Sequence, residues 1–326
     1  MTVLVTGGAG YIGSHVVMAL VDRGDQVVVF DSLSTGRRSA VPDPVPLVEG
    51  DIRDVELLEE TIHAHAVGDV IHLAAQKSVP ASMLAPGPTF STNVSGTLAV
   101  LEAMTTGGVD RLVFSSSCAV YGVPDHLPIH EGSPIRPENP YGESKAQSER
   151  LIEWFERPSD LRSVRLRYFN AAGAHPGGQL GEPWQQAENL IPVVLRAAFT
   201  GEPVVVFGTD YETPDGTAVR DFVHVVDLAE AHLLALDHLA AGGDGLVLNV
   251  GTGAGASVLQ VIETARRVLD RPIRVVHAPR RAGDPPAVWA DSQRAASDIG
   301  WTANHDLESM IADAWRWHTG RGQMGT

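Results

Sequence analysis

Short apolar segments rich in β-branched residues alternate with longer segments of helical periodicity through the first half of the chain. The expected strands span residues 2–6, 26–30, 45–48, 69–75, 111–117 and 163–169, and the expected helices span 14–23, 55–66, 89–106 and 141–155. Such alternation is typical of a parallel β-sheet covered by helices on both faces. The pattern therefore predicts an α/β fold with a doubly wound parallel sheet.

The second half of the chain carries longer loops. Helices are expected near residues 189–200, 227–239, 257–269, 292–299 and 307–317, with strands at 204–207, 246–250 and 273–276. These elements suit a smaller α/β substrate-binding domain laid over the ligand edge of the sheet. We expect residues 1–170, rejoined by a segment near 221–251, to form one domain and residues 171–326 to form most of the other.

A glycine-rich turn lies between the first strand and the first helix. It contains Gly7, Gly10 and Gly13, and glycines at such a turn let a pyrophosphate approach the free N–H groups at a helix N-terminus. Asp31 follows ~20 residues later, where a carboxylate binds the two hydroxyls of an adenosine ribose and repels a 2′-phosphate. The turn and its acid predict a Rossmann-type domain that binds NAD rather than NADP.

Small or polar residues follow several of the apolar strands. Asp51, Ala75, Ser117 and Asn170 each stand at or just beyond such a strand end. Ligands of parallel sheets bind beyond the carboxyl ends of the strands. These residues are therefore candidates for contact with a ligand.

The segment from Asn139 to Lys145 combines a helix start with a potential acid/base pair. Asn139 can cap the helix and Pro140 suits its first position, so Tyr141 and Lys145 lie on one face, four residues apart. A phenol titrates near ~10, and a general base near neutral pH needs a neighbouring cation to favour the phenolate. We interpret Tyr141 as the base, Lys145 as that cation and Ser117 as a second hydrogen-bonding group for a substrate oxygen.

Composition and charge exclude several classes of protein. The formal net charge of −16 argues against a nucleic-acid or anionic-membrane partner, and no apolar run reaches the ~18 residues of a membrane span. Cys118 is the only cysteine, which precludes an internal disulfide. Residues 1–6 lack the pattern of a signal peptide. We therefore expect a cytoplasmic protein.

Several catalytic classes lack their required residues. His63 and His65 would point to different helix faces, and His175 and His224 stand alone in the sequence, so we expect no metal site. There is no Gly-x-x-x-x-Gly-Lys loop for phosphoryl transfer and no Gly-x-Ser-x-Gly elbow for triad hydrolysis. The remaining candidate chemistry is that of the Ser117, Tyr141 and Lys145 set.

The glycine turn, the serines at 115–117 and the Tyr-x-x-x-Lys motif together resemble the extended short-chain dehydrogenase/reductases. More narrowly, the chain is similar to the UDP-hexose 4-epimerases of that family. The closer resemblance rests on the motifs at residues 5–15, 93–97, 167–176, 189–192, 219–225 and 278–284. These motifs extend over nearly the whole chain.

The resemblance implies a mechanism. Tyr141 takes the proton of the sugar 4-hydroxyl while C4 passes its hydride to tightly held NAD, and the keto sugar turns over before it is reduced on its other face. Lys145 holds the nicotinamide ribose and lowers the pKa of Tyr141, and Ser117 hydrogen-bonds the 4-oxygen. The resemblance also implies a homodimer that pairs through helices matching residues 89–106 and 141–155.

The resemblance further implies two sets of binding residues. Those expected to line NAD are Gly7, Gly10, Tyr11, Ile12, Gly13, Asp31, Ser32, Asp51, Ile52, Leu73, Ala74, Ala75, Lys77, Asn93, Tyr141, Lys145 and Phe169. Those expected to bind the UDP-hexose are Ser117, Tyr141, Asn170, Asn189, Leu190, Val205, Phe207, Arg220, Arg281, Asp284 and Val288.

Val288 departs from the pattern of relatives restricted to glucose and galactose, which carry a tyrosine there. The smaller side chain raises the hypothesis that UDP-GlcNAc and UDP-GalNAc are also substrates. Epimerases of UDP-uronic acids remain an alternative, as does a non-catalytic regulator that senses NAD. Sugar-nucleotide 4,6-dehydratases place an acid pair after the strand-end hydroxyl, whereas here Cys118 and Ala119 follow Ser117.

Overall fold

The computed structural model describes residues 1–184, 187–281 and 284–320. Its strands are β1 (Thr2–Thr6), β2 (Gln26–Asp31), β3 (Leu47–Glu49), β4 (Val67–His72), β5 (Arg111–Ser117), β6 (Arg162–Tyr168), β7 (Asn170–Ala172), β8 (Val204–Phe207), β9 (Val219–His224), β10 (Leu246–Val250), β11 (Gly255–Ser257), β12 (Val275–Ala278) and β13 (Ala287–Val288).

The helices alternate with these strands. They are α1 (Tyr11–Arg23), α2 (Val55–Ala64), α3 (Val79–Leu84), α4 (Pro86–Phe90), α5 (Gly96–Gly107), α6 (Pro140–Glu156), α7 (Leu190–Thr200), α8 (Val225–Ala240), α9 (Val258–Leu269), α10 (Gln293–Ile299) and α11 (Leu307–Thr319). Among the residues that the structure describes, no helix is long and apolar enough to cross a membrane.

The largest sheet has seven strands, in the order β10, β6, β5, β4, β1, β2, β3, and all its pairings are parallel. The chain leaves β1 toward β2 and β3 on one side and returns to place β4, β5 and β6 on the other. A crevice opens at such a reversal of strand order, at the carboxyl ends of the strands. The α/β class and the Rossmann-like parallel sheet predicted from the sequence are confirmed.

Both faces of the large sheet are buried, because side chains of each strand alternate between two hydrophobic clusters. On β1, Val3 and Val5 pack in the cluster that includes α1 and α8, whereas Leu4 packs in the one that includes α2, α5 and α6. This sandwich of helix, sheet and helix holds the strand ends in place. It thereby fixes the positions of the candidate site residues.

The second half of the chain adds smaller sheets. Strand β9 lies between β11 and β13 and also pairs with β7, while β8 pairs with β12. Helices α7, α9 and α11 pack around β8 and β9 in a third hydrophobic cluster. Strand β10 returns to the edge of the large sheet beside β6. The division into domains near residue 170, with a rejoining segment near 221–251, stays a prediction.

Some predicted elements differ from those observed. The helix expected at residues 89–106 is divided, because a π-helical turn at Ser91–Ser95 separates α4 from α5. Strand β4 ends at His72, before the expected residue 75. Strands β7 and β9 were not expected as a pair, since their partners lie far apart in the sequence. Neither helical nor strand periodicity reports such long-range pairing.

Candidate active site

The glycine turn after β1 is packed against the end of β4. Gly7 has a φ of 74°, and a Cβ there would lie 2.6 Å from the backbone nitrogen of Ala74. A Cβ on Gly13 would lie 2.1 Å from the carbonyl oxygen of Gly7. A side chain at either position would therefore displace the backbone of the turn.

The N-terminus of α1 fits the diphosphate of a dinucleotide. Gly10 is its N-cap residue, no side chain in the described part of the chain caps the helix, and its first turn carries no acid. The first N–H groups of a helix lack partners within the helix and attract anions. Tyr11, Ile12 and Gly13 thus present backbone donors to the crevice, and the Tyr11 hydroxyl donates a hydrogen bond to the carbonyl of Gly173 at 2.7 Å.

Asp31 is buried at the end of β2 and fixed by the glycine turn. Its Oδ2 accepts a hydrogen bond from the N–H of Ala9 at 2.9 Å, and its Oδ1 accepts one from Leu33 at 2.8 Å. Each carboxylate oxygen keeps a second lone pair, as the predicted contact with ribose hydroxyls requires. The neighbouring Ser32 is exposed and donates to the Ser34 hydroxyl at 3.0 Å.

Asn93 ties the π-helical turn to the segment after β4. Its amide donates to the carbonyl of Gln76 at 3.0 Å and to the Ser144 hydroxyl at 2.9 Å, and its oxygen accepts the N–H of Gln76 at 2.8 Å. Single π-helical turns recur at functional sites. The turn places Asn93 between Gln76, which follows β4, and Ser144 of α6.

Two further residues predicted to line the cofactor are held by ion pairs. Asp51 pairs with Arg53, at 2.5 Å between Oδ2 and the guanidinium, and this contact lowers the pKa of Asp51 to about 2. Lys77 contacts the buried carboxylate of Glu182 at 2.5 Å, which joins the β4 side of the crevice to the loop after β7. Ile52 is buried against Gly96.

Lys145 is buried beneath the end of β5, with 3% of its surface exposed. Its Nζ donates to the carbonyl of Ser115 at 2.7 Å and lies 4.9 Å from the centre of the Phe114 ring. Burial lowers the pKa of Lys145 to about 7, and the Glu149 carboxylate opposes that decrease. The cation expected beside Tyr141 is therefore itself close to losing its proton.

The pKa of Tyr141 differs in direction from the expectation. Burial raises it above the ordinary value, the phenol of Tyr168 raises it further, and a hydrogen bond with Ser117 lowers it. The predicted lowering by Lys145 is not among these effects, and desolvation dominates because a phenolate loses more hydration than a phenol on burial. Tyr141 carries its proton at neutral pH in this structure.

Cys118 connects the catalytic set with the second half of the chain. Burial and the charge of Asp221 raise the pKa of its thiol to about 12, while Arg220 lowers it. Asn170 donates to the carbonyl of Asp221 at 2.8 Å. Cys118, the neighbour of Ser117, therefore lies within reach of the charges of Asp221 and Arg220 on β9.

Other predicted substrate residues gather around β9 and β13. Arg220 forms an ion pair with Asp284 and donates to the carbonyl of Val219 at 2.7 Å. Val288 lies opposite Arg220 in the register of the strands and packs in a hydrophobic cluster that includes Phe169. Val288 therefore packs in the same cluster as Phe169, a residue predicted to line the cofactor.

The remaining predicted substrate residues lie further along the chain. The Arg281 guanidinium stacks on the Phe207 ring at 4.1 Å, and Val205 is exposed on the same strand as Phe207. Asn189 is the N-cap residue of α7, which begins at Leu190. Among the described residues, no hydrogen bond or ion pair links these positions to Ser117, Tyr141 or Lys145. They are the predicted residues that the structure does not bring to the catalytic set.

Sequence reasoning missed several residues of the site. The buried Asp221 carboxylate accepts four hydrogen bonds, two from Thr252 and one each from Gly253 and Ala290. Glu149 and Arg167 form a buried ion pair behind Lys145. The position of Glu149, one helical turn beyond Lys145, was a signal for that contact. His224 is also not isolated, since it stacks on His305 at 4.3 Å.

Within the described ranges, no group of three or more His, Cys, Asp or Glu side chains is arranged to hold a metal ion.

Comparisons with known proteins agree with one another. A family model described as the NAD dependent epimerase/dehydratase family matches residues 3–251. A protein named UDP-glucose 4-epimerase from Azospirillum brasilense is 47% identical over 317 residues, which cover 97% of this chain and 91% of that protein.

Solved structures are also similar to this chain. UDP-glucose-4-epimerase from Stenotrophomonas maltophila, solved with bound NAD and formylated UDP-arabinopyranose, matches with a TM-score of 0.95 and 41% identity over 98% of both chains. The UDP-Glc/GlcNAc 4-epimerase from Campylobacter jejuni matches with a TM-score of 0.85 and 36% identity over 97% of this chain and 98% of that one.

Proposed function

The chain belongs to the NAD-dependent epimerase/dehydratase family, and we propose that it interconverts UDP-glucose and UDP-galactose by reversible oxidation at C4 of the hexose. One observation carries this proposal. Ser117, Tyr141 and Lys145 converge at the end of β5, in a chain that resembles UDP-glucose 4-epimerases over almost its whole length.

The residues of the crevice fit NAD. Gly7, Gly10 and Gly13 leave room for its diphosphate at α1, and the fixed Asp31 carboxylate keeps free lone pairs for the hydroxyls of a ribose. When bound, NAD supplies the oxidation of C4 and its reversal, so the reaction needs no other oxidant. Lys145 lies below the end of β5, where its ammonium suits the hydroxyls of the nicotinamide ribose.

The proton of the 4-hydroxyl is assigned to Tyr141. Ser117 lowers the pKa of this phenol and can also hydrogen-bond the same substrate oxygen. A protonated Lys145 adds positive charge near the phenolate, which stabilises the state in which Tyr141 can accept the proton. Tyr141 then returns a proton to the 4-oxygen when the opposite face of the sugar is reduced, so it ends each turnover as it began.

The diphosphate is assigned to Arg220 and Arg281. Arg220 is paired with Asp284 in the structure, so an incoming diphosphate gains a guanidinium that is already oriented by a carboxylate. Guanidinium groups bind phosphate oxygens in a two-pronged geometry. Phe207, beneath Arg281, offers an aromatic face for the uracil ring. A UDP group held in this way leaves the hexose free to turn.

Incubation with UDP-galactose tests this function directly. The purified protein, without added NAD, should convert UDP-galactose into UDP-glucose, as followed by proton NMR of the anomeric signals, because bound NAD is regenerated in each turnover. Cofactor content is measured on the same sample after denaturation. A sample that carries NAD and leaves UDP-galactose unchanged would contradict the proposal and favour a non-catalytic regulator.

We further propose that the sugar pocket admits N-acetylhexosamines. Val288 is smaller than tyrosine and packs near Phe169, and a relative from Campylobacter jejuni is named UDP-Glc/GlcNAc 4-epimerase. Val288→Tyr should lower turnover of UDP-GalNAc at least ~10-fold and change UDP-galactose turnover less than ~3-fold, because the added ring occupies the space of the acetamido group. Parallel assays of both sugars measure this. Equal losses for both sugars, or no UDP-GalNAc turnover in the parent protein, would refute the hypothesis.

We also propose a homodimer. Trp154 of α6 is exposed, with 63% of its surface accessible, and Met83 and Leu84 at the end of α3 are exposed as well. Trp154→Glu should convert the dimer into a monomer, because it places a charge in the buried interface. Light scattering after gel filtration should give about twice the chain mass for the parent protein, and a monomeric parent would exclude the dimer.

A cytoplasmic location, testable by cell fractionation, is proposed from the free thiol of Cys118.

A further inference from the structure

Lys145 has few groups available to stabilise its charge. The side chain is almost fully buried, and its one hydrogen bond among the described residues goes to the carbonyl of Ser115. An ammonium group in such a site loses most of its hydration, which favours the neutral amine. The proposed reaction nevertheless needs a cation there.

A buried ion pair lies one helical turn beyond Lys145. Glu149 and Arg167 are 4% and 6% exposed, and the Arg167 guanidinium donates to both carboxylate oxygens, at 2.9 Å to Oε1 and 2.5 Å to Oε2. The Ser116 hydroxyl donates to Oε1 at 2.5 Å. The carboxylate therefore has a single fixed orientation.

The far side of this pair is anchored as well. The Arg167 guanidinium donates to the Tyr121 hydroxyl at 3.0 Å and to the carbonyl of Glu131 at 3.3 Å, and Tyr121 donates in turn to Asn249 at 2.7 Å. The guanidinium is thus held toward β10. Because Glu149 follows Lys145 by four residues on α6, its carboxylate lies on the lysine side of the pair.

The small number of lysines in the sequence also sets Lys145 apart. Lys77 and Lys145 are the only lysines in the chain, against a combined 24 lysines and arginines. All other permanent cations are arginines. Arginine keeps its charge when buried, whereas lysine can lose its own, so a lysine at this buried position requires a nearby group that controls its charge.

We propose that Glu149 is a positioning residue that keeps Lys145 in its charged form, and that Arg167 and Ser116 hold the Glu149 carboxylate in place for this task. This inference rests on the proposed function. It assigns separate tasks to the three serines that end β5: Ser115 accepts the Lys145 hydrogen bond, Ser116 orients Glu149, and Ser117 contacts Tyr141.

The other titratable groups around Lys145 leave this task to Glu149. His72 on β4 is neutral above its pKa of about 3, which burial and the charge of Lys145 keep low. Tyr168 on β6 has a pKa of about 12 owing to burial, and burial likewise keeps Tyr141 protonated at neutral pH. Arg167 on β6 is always charged and pairs with Glu149, which is therefore the carboxylate shared by both cations.

Removal of the carboxylate should make Lys145 lose its proton at lower pH. The sign follows from charge: without the anion, the ammonium form is less stable, so the folded pKa of Lys145 decreases. We expect the pKa of Lys145 to fall by about one unit when the opposite charge of Glu149, one helical turn away, is lost. Above both midpoints, the charged fraction of Lys145 then falls about tenfold.

NMR can measure this titration without any turnover. Protein grown with [ε-¹³C]lysine should give two signals, and Lys77→Arg assigns them; exposed Lys77 serves as an internal reference. In Glu149→Gln, the midpoint of Lys145 should fall by about one pH unit. The matched control is Glu153→Gln, the same change on the same helix at a side chain that pairs with Arg165 near the surface, and it should leave the midpoint unchanged.

The variant could be unstable because it leaves Arg167 buried without a partner. The double variant Glu149→Gln/Arg167→Met removes both charges, a change that buried pairs often tolerate, and it should shift the Lys145 midpoint in the same direction. The proposal would be overturned by a Lys145 midpoint within ~0.3 pH unit of the parent value in either folded variant, since the expected shift is well above that limit.

Turnover gives a second readout. If Glu149 only supports the fold, the kcat of Glu149→Gln should fall by the same factor at every pH. If it controls the charge of Lys145, kcat should approach the parent value at low pH and fall about tenfold further above both midpoints. A parent protein that turns over no UDP-sugar would refute the proposed function, whereas the NMR titration would still decide the role of Glu149.

Discussion

Tyr141→Phe is expected to lower the turnover of UDP-galactose by roughly 10³-fold while NAD remains bound. The substitution removes only the hydroxyl that exchanges the proton with the 4-oxygen. Its ring, half-buried at the start of α6, keeps the packing of the phenylalanine variant close to that of the parent. Steady-state kinetics with UDP-galactose measure the loss of turnover, and the NAD content of the same preparation shows whether the cofactor remains bound.

Tyr168→Phe is the matched control for this experiment. Tyr168 is another tyrosine of the same region whose pKa is raised by burial, and its hydroxyl bonds to Ser115 at 2.7 Å. Its removal should change kcat less than ~10-fold, since a neutral hydrogen bond contributes about 1 kcal/mol. Turnover of Tyr141→Phe at the level of Tyr168→Phe would exclude Tyr141 as the proton acceptor.

Gly13→Ala is expected to weaken NAD binding by ~10- to 100-fold, which corresponds to the cost of overpacking a tight contact. The new methyl group would lie 2.1 Å from the carbonyl oxygen of Gly7, so the turn must open and the N–H groups of α1 move away from the diphosphate. The NAD content of the purified variant and the dissociation constant from calorimetry provide the measurement.

Gly87→Ala is the control, because a Cβ at Gly87 meets no heavy atom within 4 Å. Alanine should be neutral or slightly stabilising in helix α4. The thermal unfolding of both variants separates a local change from global unfolding. If Gly13→Ala keeps full NAD content and unchanged affinity, the glycine turn is not the diphosphate site.

Local patterns in the sequence were enough to predict most of the large sheet. Strand β5 was predicted with its observed bounds, Arg111–Ser117, because apolar alternation and the serines at its end are properties of neighbouring residues. The turn at Gly7–Gly13 was also predicted, since both its strand and its helix adjoin it. By contrast, the pairing of β7 with β9 joins residues about fifty positions apart, and no local pattern reports it.

The residues of the candidate site likewise divide into those that a local pattern predicts and those that only the fold brings together. The Tyr141 and Lys145 motif is visible because both residues lie on one helix. The ion pair of Arg220 with Asp284 spans two segments, 64 residues apart, and the buried pair of Glu149 with Arg167 spans a helix and a strand. Such pairs form only where the fold brings opposite charges together away from water.

The sequence by itself determined the chemistry available to this protein: a hydroxyl, a phenol and an amine beside a dinucleotide turn, with the family that this combination indicates. The tertiary structure decided the charge states, because desolvation and fixed neighbours set a pKa and neither is a property of residue order. Burial keeps the proton on Tyr141 and brings the pKa of Lys145 to about 7. Only the fold shows that Glu149, held by Arg167 and Ser116, is the anion that opposes this loss of charge.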